Sequence, residues 1–242
     1  MNANLPILMF HIIEDGPSPL CFPIEQFRRA MSQLKDNGYQ TLRLTEAARC
    51  LRLGLPLPQR SIVLTFDDGD LSLFEQAWPI LRQHDMTATI FMLGSEDRRF
   101  MNRPLMSWQQ VVEMSRGGIE FGAHTLSHPD LTQLPTKQIE AEICQSKAVI
   151  ENVLGAAISS FAYPFGRYDE RSREIVKQHF DCACIDALGL VGNHPDLHAL
   201  RRVETYYLRR GRQFDMIFSR HFRWYLRARD IPRRFRRAMR SK

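Results

Sequence analysis

Buried-looking runs of apolar and β-branched residues alternate with amphipathic stretches along this chain about seven times without a gap. A strand covered on both faces reads as near-continuous Val, Ile, Leu and Phe, and the intervening stretches carry the single apolar stripe of a covering helix. The alternation therefore predicts parallel strands joined by helical crossovers, as a closed barrel or a doubly wound sheet, and the number of units leans toward the barrel. Strands are expected at 7–12, 39–44, 61–66, 87–93, 118–123, 158–163, 180–186 and 199–207. Helices are expected at 23–37, 45–53 from an N-cap at Thr45, 71–83, 107–115, 135–154 and 169–178. The charged loop 94–105 is placed to overhang a cleft.

A chain of 242 residues with 44% hydrophobic content can bury one sizeable core, and neither an internal repeat nor a low-complexity linker divides it. No segment approaches the roughly 18 to 20 apolar residues of a membrane span. Met1 to Pro6 lacks a basic leader pattern, so the expectation is a cytoplasmic protein, at the inner face of the membrane if it meets one. The five cysteines are scattered, odd in number and without a CxxC pair, which suits reduced thiols. Cys182 and Cys184, two apart on one strand, read as small core residues.

The charge is uneven. From Ser219 to Lys242 ten basic residues face one acid, Asp230, a net charge of +9 that leaves −3 for the remainder of a chain whose total is +6. The division expected is a catalytic barrel over 1–210 and a basic helical tail over 211–242. Arginines interleaved with Phe222, Trp224, Tyr225 and Phe235 suit an anionic membrane surface, with nucleic acid the less favoured partner and a merely solvated tail the third reading.

Three polar clusters fall where predicted strands end, which in such folds is the face that carries chemistry. They are Asp67-Asp68-Gly69, His124-Thr125-Leu126-Ser127-His128 and Tyr163-Pro164-Phe165-Gly166. Adjacent side chains on a strand face opposite ways, so two neighbouring acids share a site only where the strand breaks, and Gly69 permits that break. The competing reading makes the aspartate an N-cap of the next helix. Pro129 disfavours helix at His128, so a turn brings the two imidazoles together. Two histidines and an aspartate form a ligand set for Zn²⁺ or a similar divalent ion with positions left open, and the second carboxylate can act as general base in a hydrolysis.

With these residues the chain resembles the polysaccharide deacetylases, carbohydrate esterase family 4, which includes chitin, chitooligosaccharide and peptidoglycan N-deacetylases. Thr65-Phe66-Asp67-Asp68-Gly69 is similar to the family's first motif, which implies Asp67 as base and Asp68 as metal ligand. His124 to His128 is similar to the second, H-[ST]-x-x-H, which implies the other two ligands. Tyr163-Pro164-Phe165-Gly166 resembles the third, in which the backbone N–H of the aromatic residue after proline, here Phe165, helps hold the oxyanion and its ring lines the groove. Leu8-Met9-Phe10-His11 further resembles the branch acting on poly-N-acetylglucosamine. The resemblance covers about residues 5–210 and implies a distorted (β/α)₇ barrel. It also implies a metal-dependent N-deacetylase, a hydrolase of linear amide C–N bonds, with Zn²⁺, or alternatively Co²⁺ or Ni²⁺, and an N-acetylated glycan or lipid-linked amino sugar as substrate. A sugar-binding or membrane-associated scaffold that has lost turnover is the alternative.

The sequence departs from the family at three places. Ser159-Ser160-Phe161-Ala162 replaces the arginine that many members carry before the third motif, and Arg202 is a candidate to pair with Asp67 instead. Asp186 lies where a D-x-x-x-W motif is expected but lacks the tryptophan. The general acid has two candidates, His198 before the last strand and His11 at the end of the first.

Overall fold

Continuous apolar runs do form the frame. The computed structural model describes residues 4–240, and side chains outside 232–240. Seven parallel strands, β1 (Ile7–Phe10), β2 (Ser61–Phe66), β3 (Thr89–Met92), β4 (Glu120–Ala123), β5 (Ser160–Ala162), β6 (Cys182–Leu188) and β7 (Leu200–Glu204), are hydrogen-bonded in the order β1-β7-β6-β5-β4-β3-β2. Pairing of β1 with β2, with Met9 opposite Thr65 and Phe10 opposite Phe66, closes the ring. This is the distorted (β/α)₇ barrel. The expected strand at 39–44 shrinks to Gln40–Leu42, which pairs only with the first half of β2.

The surrounding helices are α1 (Ile24–Asp36), α2 (Leu44–Leu53), α3 (Trp78–Gln83), α4 (Trp108–Arg116), α5 (Thr136–Leu154), α6 (Glu170–His179) and α7 (Phe222–Arg240). Strand periodicity divides the core in two. Ile7, Val63, Phe91, Ala162, Cys182, Cys184 and Leu200 form one buried cluster with Leu44, Ala47 and Ala48 of α2. The alternate residues Leu8, Phe10, Leu64, Phe66, Phe161 and Val203 pack with Phe27, Met31, Ile143 and Val176 of the helical layer. The two strand cysteines are thus core residues, and the thiol of Cys184 is pushed up to about 12 by burial.

Packing fixes the frame where the site will stand. Phe10 stacks on Phe66 with centroids 5.1 Å apart, and Phe27 meets the pair edge-on at 5.4 and 6.0 Å. Such aromatic contacts contribute about 0.5–1.5 kcal/mol each beyond area burial. The residues that follow these rings are His11 and Asp67, and the Asp67 amide donates to the Phe10 carbonyl at 3.0 Å.

Local signals misplace some boundaries. Thr45 does not cap α2: the helix starts at Leu44, whose amide donates to Thr89 Oγ1 at 3.0 Å, while the Thr45 amide donates to Glu120 Oε2 at 3.3 Å. A carboxylate reached from another strand does the capping, which no helix-start pattern encodes. The helix expected at 71–83 opens as a π-helical turn at Leu73–Ala77. Beyond β7, Phe214, Ile217, Phe222 and Leu226 are buried in the same cluster as the helical layer, so the 211–242 segment begins as part of the barrel's packing. The side chains of Arg233, Arg234, Phe235, Arg236, Arg237 and Arg240, and all of Lys242, lie outside the described residues. No helix among the described residues is long and apolar enough to cross a membrane.

Candidate metal centre

Three strand-end loops turn back on themselves in left-handed backbone conformations. Asp68 and Gly69 have φ of 70° and 80°, Thr125 and His128 of 67° and 62°, and Phe165 and Gly166 of 57° and 61°. Non-glycine residues there are strained, and such strain concentrates at functional sites. The break after β2 lies at Asp68 itself as well as at Gly69, which is how consecutive carboxylates come to face one place. An added Cβ on Gly69 would collide with Met92, and one on Gly166 with Asp186. The turn after β2 is closed by another acid, Asp70, whose Oδ1 accepts from the Ser72 amide at 2.9 Å, so neither Asp67 nor Asp68 serves as the cap.

Asp68 Oδ1 lies 3.5 Å from His124 Nε2 and 3.6 Å from His128 Nε2, and one donor atom from each residue falls within 4.8 Å of the others. These separations are too long for good hydrogen bonds, and Asp68 Oδ1 is buried without a hydrogen-bond partner among the described residues. A buried acceptor with two ring nitrogens around it fits a cation that binds all three. The other nitrogen of His124 lies 2.7 Å from the Ala162 carbonyl, which fixes the tautomer that leaves Nε2 free to ligate. Burial lowers His124 to about 4 and, with the charge of His124, His128 to about 3, so both imidazoles are neutral.

Asp67 is 3% exposed and Arg202 1%. Arg202 donates through both terminal nitrogens, at 2.6 Å to Oδ1 and 2.8 Å to Oδ2, and through Nε to the Ile185 carbonyl at 3.1 Å. Burial alone would raise the Asp67 carboxyl, but the guanidinium outweighs it and holds the acid ionised well below the usual carboxylate range. The arginine absent before the third motif is thus replaced from β7, where Arg202 shares the inward parity of Leu200. His11 Nε2 lies 3.9 Å from Asp67 Oδ2. Burial lowers this histidine, the charges of Asp67 and Arg202 acting in opposite senses.

Phe165 is 53% exposed and meets His128 edge-on at 4.6 Å. Pro164 opens the short 3₁₀ turn that holds Phe165 and Gly166. Two other candidates do not join the site. Tyr163 packs between Phe161 and Tyr168, at 5.2 and 5.0 Å, because strand alternation sends it into the helical layer after the inward-facing Ala162. His198 precedes β7 and so stands at the opposite end of the barrel, its Nε2 2.9 Å from the Phe180 carbonyl.

Two residues outside the motifs complete the surroundings. Phe100, on the hairpin pairing Arg99–Phe100 with Arg103–Pro104, lies 4.9 Å from the same His128 ring that Phe165 meets. Arg103 of the same hairpin ties it down through Asp70 at 2.6 Å and Glu14 at 2.7 Å. Glu142 of α5 accepts from the amides of Leu126 and Ser127, each at 2.9 Å, and from the Ser127 hydroxyl at 2.7 Å. It clamps the loop that carries His128. Glu142→Ala should therefore weaken metal retention by about 10- to 100-fold, as loss of an outer support does elsewhere. Glu142→Gln, which retains an acceptor, should recover part of it; chelator competition measures both.

A family model described as polysaccharide deacetylase matches residues 54–180. YxkH of Bacillus subtilis (strain 168), described as a polysaccharide deacetylase, is 33% identical over 204 residues, 84% of this chain and 72% of that protein. The poly-beta-1,6-N-acetyl-D-glucosamine N-deacetylase of Staphylococcus aureus (strain N315) is 28% identical over 165 residues, and its match with this chain spans 56% of its length. Among solved structures, the Streptococcus pyogenes deacetylase PplD in complex with acetate is similar with a TM-score of 0.78 and 27% identity, over 84% of this chain and 93% of that one.

Proposed function

This chain belongs to the polysaccharide deacetylase family, and from that premise we propose that it removes N-acetyl groups from N-acetylglucosamine-containing glycans with the help of a divalent metal. The observation that carries the proposal is the unpartnered Asp68 oxygen facing His124 and His128, beside an Asp67 kept ionised by Arg202. A divalent ion there, with Zn²⁺ the best match to the donor set and Co²⁺ or Ni²⁺ as alternatives, would lower the pKa of a water from 15.7 to about 7 and polarise the acetamide carbonyl.

The chain's own residues supply the remainder. Each Asp67 oxygen accepts from Arg202 and retains a further lone pair, so the carboxylate can take the proton of the attacking water. The resemblance implies that the Phe165 amide would receive the carbonyl oxygen as it gains charge, and its exposed ring would wall the sugar on one side. The proton that Asp67 takes from the water would return to the departing amine from Asp67 itself or through His11, whose Nε2 stands 3.9 Å away, beyond direct hydrogen-bond reach, and would need a bridging water. A complete ligand trio with its base still paired argues against a binding-only role.

In the metal-free protein, burial, then the charges of Asp67 and Asp70, push the Asp68 carboxyl up to about 8. Metal must displace that proton. Binding at pH 7 should release about one proton, and affinity should rise with pH until about 8 and then level off. Calorimetry in buffers of differing ionisation enthalpy reads the proton directly.

The direct test is acetate release by the Zn²⁺-loaded protein from a panel of N-acetylglucosamine oligomers, with chelation and metal re-addition as controls. Metal-dependent release supports the proposal, and the preferred linkage and length would define the substrate. A metal-loaded protein that releases acetate from neither β-1,4 nor β-1,6 oligomers, nor from a lipid-linked N-acetylamino sugar, would overturn it.

A further inference from the structure

We infer that the exposed face of α7 docks the protein onto an anionic lipid surface. The helix has two apolar stripes where a helix that only covers a barrel needs one. Phe222 and Leu226 are buried, at 5% and 2% exposure. On another face Trp224, 65% exposed, and Ile231, 59% exposed, stand seven residues apart with exposed Ala228 between them, which places all three along one line. Exposed Arg220, Arg223 and Arg227 accompany this second stripe, with the Arg227 guanidinium 5.2 Å from the Trp224 ring, while exposed Arg229, nearer the buried stripe, lies 5.2 Å from the Tyr225 ring.

The first turns of the helix are tied to the chain that leaves β7, while the turn before them packs Phe218 on Tyr39. The Tyr225 hydroxyl donates to the Tyr207 carbonyl at 2.6 Å, and Tyr207 follows directly on the C-terminal end of β7. Neighbouring Tyr206 is 39% exposed and carries Arg209 over its ring at 4.5 Å, the same pairing of aromatic and arginine. Charge and apolarity together select the partner. Phosphates alone would satisfy the arginines, but a nucleic acid gives Ile231 and Ala228 no hydrocarbon to enter, whereas the headgroup and acyl boundary of a bilayer accepts both. The excess of +9 from Ser219 onward adds attraction to anionic headgroups. Attachment through such an interfacial helix is reversible and weakened by salt.

The test is co-sedimentation of the full chain with vesicles of equal phosphatidylglycerol and phosphatidylcholine, against pure phosphatidylcholine. The anionic vesicles should bind it and the neutral ones should not. Arg223→Glu with Arg227→Glu should lower the partition coefficient by at least about tenfold, given the contribution of each basic residue near an anionic surface. Trp224→Ser with Ile231→Ser should lower it severalfold while leaving the far-ultraviolet circular dichroism unchanged, since both residues are exposed. Equal binding to both vesicle types, no binding to either, insensitivity to both double variants, or displacement from vesicles by single-stranded DNA would each overturn the inference.

Discussion

Asp67→Asn is expected to lower acetate release by roughly 10²- to 10⁴-fold, the range a positioned general base contributes, while metal affinity stays within severalfold of the unchanged protein. The separation of the two readouts follows from the geometry. Asp68, His124 and His128 surround the proposed metal position, whereas both oxygens of Asp67 are turned to Arg202. Asparagine keeps the shape and one acceptor for the guanidinium but cannot take a proton. A second readout accompanies the first. The Asp67 charge is one of the influences that raise Asp68, after burial, so its removal should move the levelling-off of metal affinity to a lower pH. Turnover within tenfold of the unchanged protein, with metal demonstrably bound, would assign the base elsewhere, and His11 would be the next residue to change.

The barrel was legible because its strands are continuous apolar runs and its helices carry stripes, both local patterns. The three loops were legible because each packs its chemistry into consecutive residues. What escaped depends on contacts between distant segments. Glu142 stands on the long helix α5 and meets the histidine loop only after folding, so the sequence around it reads as an ordinary solvated face. Phe100 sits in a charged loop whose hairpin is tied by Arg103 to Asp70 and Glu14, residues 33 and 89 positions away. Arg202 is legible only indirectly, as the basic residue on a strand that can stand in for the arginine missing before the third motif. His198 was misassigned for want of polarity: in a parallel barrel a residue preceding a strand lies at the far end from one following it. Tyr163 failed on parity, since one residue's shift along β5 exchanges the barrel interior for the helical layer.

Arg202→Met carries the largest expected cost in stability. It leaves the Asp67 carboxylate buried without its counter-charge, and breaking a fully buried pair on one side costs about 3–5 kcal/mol, which for a chain of this size lowers Tm by about 10 °C. The dependence on pH distinguishes this cause from a simple packing defect. In the unchanged protein the folded Asp67 pKa is depressed, so the pair's contribution is present above the unfolded value of about 4 and is lost only as pH falls through the lower folded value. In the variant, burial becomes the dominant influence and raises the folded pKa, so the folded state binds the extra proton and the variant loses stability as pH rises from about 4 toward 7. The gap between the two proteins should therefore widen from pH 4 to 7. Adding Asp67→Asn to Arg202→Met removes the stranded charge and should restore most of the lost stability, without restoring acetate release. Thermal unfolding of the three proteins across that range decides the matter. Equal stability of Arg202→Met and the unchanged protein at pH 7, or a gap that does not vary with pH and is not closed by the second substitution, would show that the guanidinium fills space at this position without holding the charge of Asp67.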